Sequence, residues 1–144
     1  MTTKLLFFSA LLCLGTFMPL QGQTGTVVFE VSKIKVDQGG EIAAGLFTKG
    51  NFPNVGDQFK GAIEAVKSNF ATLTINDVPA GTYAAVVFQD VNQDSDLETN
   101  KLGFPKEPIG FANGAKIRFG PPSFEAASVE VKTGETTIIK IKLK

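Results

Sequence analysis

The segment Thr136-Thr-Ile-Ile-Lys-Ile-Lys-Leu-Lys144 alternates between two kinds of side chain. Thr137, Ile139, Ile141 and Leu143 fall on one face, and Lys140, Lys142 and Lys144 on the other. That is the period of a half-buried strand, not of a helix. Lysines along an open face or edge also discourage pairing with a second molecule. The same period returns at the other end, in Thr26-Val-Val-Phe-Glu-Val-Ser-Lys-Ile34, where Val27, Phe29 and Val31 share a face. Gly39-Gly40 marks a turn before a second strand, Glu41-Ile-Ala-Ala-Gly-Leu-Phe-Thr48. Phe70-Ala-Thr-Leu-Thr-Ile75 reads as strand, and Pro79-Ala-Gly81 as a tight turn. Thr82-Tyr-Ala-Ala-Val-Val-Phe88 follows as an unbroken apolar run, the signature of a strand covered on both faces. Residues 49–68 read as irregular, with a turn or two of amphipathic helix around 59–66. From Gln89 to Pro122, Gly, Pro, Asn and Asp punctuate the chain too often for a long regular element. Residues 124–132 give one more partly alternating strand. About seven strands joined without strand–helix–strand alternation predict an all-β, antiparallel β-sandwich, immunoglobulin-like or prealbumin-like, with a long ordered Gly/Pro-rich loop.

The chain has 144 residues, with 14 cations, 14 anions and no His. That length fits one domain. The balanced charge argues against a nucleic-acid binder, which needs a basic face. The lack of His excludes Ser–His–Asp or Cys–His catalysis and a His-ligated zinc. Residues 1–22, MTTKLLFFSALLCLGTFMPLQG, place one cation before a short apolar core and a helix-breaking Pro19. The order is that of a signal peptide, and the core falls short of the roughly 20 residues that span a bilayer. Residues 23–144 are then the mature domain, exported to the periplasm or beyond, with no membrane span. Cys13 lies in the leader, so the mature chain folds without disulfides.

The acidic stretch Asp90-Val-Asn-Gln-Asp-Ser-Asp-Leu-Glu-Thr-Asn100 carries oxygen-bearing side chains at every second position. Calcium takes six to eight hard oxygens, and a curled loop presents alternate side chains to one centre. Asp90, Asn92 and Asp94 fit positions one, three and five of a calcium-binding loop, and Leu97 and Glu98 fit eight and nine. Ser95 stands where glycine is expected, and Lys101 where the closing acid belongs. The expected ligands are therefore Asp90, Asn92, Asp94, Asp96 and Glu98, with Asn100 or Glu107 completing a weak Ca2+ site. The alternative is a solvated turn in which Asp and Asn cap their own backbone amides.

Five motifs together resemble the DUF2141 family of secreted bacterial proteins of uncharacterised function. They are Pro79-Ala-Gly-Thr-Tyr83, the 90–100 loop, Leu102-Gly-Phe-Pro-Lys-Glu107, Gly110-Phe-Ala-Asn113 and Phe119-Gly-Pro-Pro-Ser-Phe-Glu125. The resemblance runs from about residue 27 to 143 and implies a β-sandwich. The chain departs from the family's habits at Gln89, Ala112 and Glu98, where His, Ser and Asp are usual. Tyr83 is expected to lock a turn, and the thirteen Phe to fill the core. The functional expectation is an exported, non-enzymatic, monomeric sandwich whose calcium-held loop presents a surface to an envelope protein, a glycan or a matrix component. A second expectation is a carrier of small apolar ligands, with Phe104, Phe111 and Phe119 lining a pocket under the loop. A carboxylate-based hydrolase is the weakest reading, because no pair of acids is set at a catalytic separation.

Overall fold

The computed structural model describes residues 22–144. The expected leader, up to residue 21, and Cys13 fall outside the described residues.

Two sheets form the sandwich. The first has the order β4-β1-β8, with β1 at Thr24–Ser32, β4 at Phe70–Pro79 and β8 at Thr136–Lys142. The second has the order β3-β2-β5-β6, with β2 at Glu41–Phe47, β3 at Lys60–Ala65, β5 at Gly81–Asp90 and β6 at Ile109–Phe111. A further strand, β7 at Ser128–Val131, pairs with the first half of β5, while β6 pairs with its second half. The all-β sandwich expected from the alternation is present, with eight strands among the described residues where about seven were expected.

Between the sheets the inward residues meet: Val27, Phe29 and Val31 from β1, Ile42 and Leu46 from β2, Ala85 and Val87 from β5, Ile139 and Ile141 from β8. Each of the larger side chains among them contributes roughly 1.5–3 kcal/mol on leaving water. The second sheet is also covered on its outer face. There Phe47, Val86, Phe88, Ile109 and Phe111 lie under Phe52, Val55, Leu97, Ile117 and Phe124 from the loops. Phe52 is the hub of this outer layer, meeting Phe47, Phe124 and Phe111 edge-on at centroid distances of 6.1, 6.2 and 6.4 Å. Burial on both faces accounts for the unbroken apolar run of β5.

Two details differ from the sequence reading. The amphipathic stretch near residue 60 is strand β3, antiparallel to β2 with Ala43 opposite Ile63. Its apolar positions suit either period, but Gly61 disfavours a helix, and β2 offers a free row of backbone partners. The pair β1–β8 is parallel, with Phe29 opposite Ile139. β8 is entered from β7 of the other sheet, so no hairpin constrains its direction. At that crossing a Cβ on Gly25 would lie 2.5 Å from the Lys132 carbonyl oxygen, too close for any other residue. Among the described residues no helix is long and apolar enough to cross a membrane.

Candidate functional site

The acidic loop starts where β5 ends. Asp90 is buried and receives two backbone amides, Ser95 N–H on Oδ2 at 2.8 Å and Asp94 N–H on Oδ1 at 3.3 Å. Glu107 is buried as well. Its Oε1 accepts from Val91 N–H at 2.9 Å and its Oε2 from Glu98 N–H at 3.2 Å, which ties the two ends of the loop together. Carboxylates this well buried need partners, and here four backbone donors supply them. Gln93 and Ser95 take positive φ, 58° and 64°, so Ser95 adopts the conformation for which glycine is usual.

The seven expected metal ligands separate into groups. Asp90 and Glu107 form the base just described. At the tip, the Asn92 amide donates to Asp94 Oδ2 at 2.9 Å and to Glu98 Oε1 at 3.0 Å. Asp96 accepts from the neighbouring Leu97 N–H at 2.9 Å. Asn100 receives Leu102 N–H at 2.9 Å and Phe104 N–H at 3.0 Å on its Oδ1. Among the described residues no three His, Cys, Asp or Glu side chains group closely enough to hold a metal ion.

Asn100 builds a small hairpin. Thr99 bridges Pro105, and the Asn100 N–H donates to the Phe104 carbonyl at 2.8 Å, so Leu102 stands at the tip, 82 % exposed. This hairpin forms one wall of a groove of about 670 Å³. Phe104 and Pro105 line it together with Ala115 and Ile117 and, from β6, Ile109 and Phe111. Phe119 is fully exposed and does not line it. Of the aromatic trio read from the sequence, Phe104 and Phe111 are therefore together and Phe119 is apart.

The groove exists because β6 crosses to the other sheet. Ile109 and Lys144 exchange backbone hydrogen bonds at 3.1 and 3.2 Å. A Cβ on Gly110 would sit 2.5 Å from Ile141 Cγ2 and 2.8 Å from the Lys142 carbonyl oxygen, so only glycine permits this approach. The crossing brings Lys140, Lys142 and Lys144 of the C-terminal segment to the groove, where Lys116 joins them. The alternation of β8 sets the face of these lysines, whereas their neighbours at the groove come from a distant part of the chain. Asn113, at φ 59°, fixes the next turn by donating to the carbonyls of Ala126 and Ser128 at 3.2 and 2.8 Å.

A second groove, of about 430 Å³, crosses the outer face of β2 and β3 over Ala43, Gly45 and Gly61, with Asp90 and Ser95 at one end. Its one acidic side chain is Asp90, whose oxygens are already engaged by backbone amides.

Two further residues are scaffolding. Tyr83 donates its hydroxyl to the Pro79 carbonyl at 2.8 Å and stacks on Phe59 at 5.5 Å, locking the crossing between sheets as expected. Gln89 is fully buried, accepts Lys35 N–H at 3.0 Å and donates to the carbonyls of Lys35 and Gly39 at 2.8 and 2.7 Å.

No match was found among curated proteins or among solved structures. The sequence from residue 29 to 139 does match a family model, and it covers most of both sheets, the acidic loop and the hairpin wall; the chain belongs to DUF2141, a family of uncharacterised proteins conserved in bacteria.

Proposed function

We propose that the protein is an exported, non-enzymatic binding module that holds a small apolar ligand in the groove beside the hairpin 99–105. The supporting observation is the groove itself. Its volume of about 670 Å³ is that of a small-molecule site, and Phe104, Ile109, Phe111 and Ile117 give it an apolar lining. The groove over β2 and β3 has less to offer, because its one carboxylate is consumed by the loop. A chemical step has little support: the chain has no His, and its buried acids each serve backbone amides. The leader-like residues 1–22 support export to the periplasm or the outside.

Titration of the purified protein with N-phenyl-1-naphthylamine, a neutral dye that brightens in apolar surroundings, tests this reading. Saturable binding is expected, weakened about fivefold or more by Phe104→Ala, since truncating a buried aromatic contact removes on the order of 1 kcal/mol or more. Ile63→Ser, in the other groove, is expected to leave the affinity unchanged. No saturable signal, or equal affinity for Phe104→Ala, would overturn it.

A calcium-stiffened loop is a second reading, favoured by Asp94 and Glu98 converging on one amide group. The Asn92 amide stands between those carboxylates, 2.9 and 3.0 Å from them, and a calcium ion would take over that bridging place. The cation would stiffen the loop that carries the groove wall. Thermal melts in calcium, in magnesium and in chelator are expected to show a calcium-selective rise in Tm that Asp94→Ala abolishes. Equal melts in 10 mM calcium and in chelator would remove the site.

A further inference from the structure

We infer that the ligand of this groove is an amphiphile with an anionic head, such as a medium- or long-chain carboxylate; the inference rests on the groove being a binding site. The apolar lining explains a tail but selects no head. Selection comes from the rim, where Lys116, Lys140, Lys142 and Lys144 meet from two separate parts of the chain. Two acidic side chains stand beside these lysines. Glu107 lines the groove but is held by the Val91 and Glu98 amides, and Glu30 pairs with Lys140 at 3.7 Å. Among the described residues Lys116 and Lys142 have no ion-pair partner. Two unneutralised ammonium groups beside an apolar trough are complementary to one negative charge on a hydrocarbon. Their long stems can lie along the tail while the heads stay wet. The charge is strong only locally: the whole chain balances 14 cations against 14 anions, so the basic rim is a feature of this groove and not of the protein.

Decanoate and 1-decanol, both below their aggregation limits, separate head from tail in dye-displacement titrations at pH 7.5. A groove that reads only apolar surface binds the alcohol at least as tightly, because the alcohol is less soluble. The inference expects decanoate to bind about tenfold tighter, with the advantage shrinking as salt rises. In the Lys116→Met/Lys142→Met variant, decanoate is expected to lose that advantage while decanol keeps its affinity. That outcome also shows the variant to be folded. If the alcohol binds as tightly as the acid in the unmodified protein, the anionic head is wrong and the apolar-ligand reading stands. If neither ligand displaces the dye, both fail. If decanoate does not bind but the protein sediments with phosphatidylglycerol vesicles, the lysines serve a lipid surface and the inference is overturned.

Discussion

Tyr83 shows how much one hydroxyl can hold. It is 6 % exposed, its ring stacks on Phe59, and its O–H reaches the Pro79 carbonyl four residues back, across the point where the chain passes from one sheet to the other. Tyr83→Phe keeps the stack and loses the bond, and is expected to cost about 1 kcal/mol in urea denaturation. Burial raises the Tyr83 pKa above its ordinary value. A raised pKa means the folded state keeps the proton longer, so this contribution is intact below pH 10 and lost as pH climbs through the folded pKa. Stability is therefore expected to fall more steeply above pH 10 in the unmodified protein than in Tyr83→Phe; parallel curves would show that the hydroxyl is not the group titrating. Tyr83 was legible because its partner is near in sequence. Gln89 was not: its partners, Lys35 and Gly39, lie 54 and 50 residues away. The acidic loop was legible only as an oxygen-rich curl. The same oxygens suit a metal ion or a backbone amide, and spacing alone does not choose between them.

Among the elements, the long strands declared themselves and the short ones did not. β1 and β8 alternate over enough residues for period two to emerge. β6 has three residues, too few to show any period, yet it supplies the groove floor and the link between sheets. Its requirement is steric, so Gly110→Ala is the substitution that reports on it. A methyl group there meets Ile141 and the Lys142 carbonyl, and the expected loss is about 1–3 kcal/mol of unfolding free energy, the usual cost of overpacking. An unchanged denaturation midpoint would mean β6 does not pack against β8 as described. β3 was misread because six residues of mixed small and apolar character fit either period. Its pairing with β2, settled across the sheet, decided the outcome.

Over the whole molecule, the alternation foretold a sandwich but not its third layer. Loop residues such as Phe52, Val55 and Phe124 cover the outer face of the second sheet, and in sequence they look like ordinary loop punctuation. The groove arises at a seam of this layering, where the loop cover gives way to the edge of β8. The parallel pairing of β1 with β8 also has a consequence in time. Val27 lies beside Thr137, more than a hundred positions later, so β1 gains this partner only after the other strands of the sandwich have been passed. Contacts this distant are closed slowly. In chain order β1 meets β4 first and keeps its other edge unpaired until β8 follows, so the closing of this sheet is a late event.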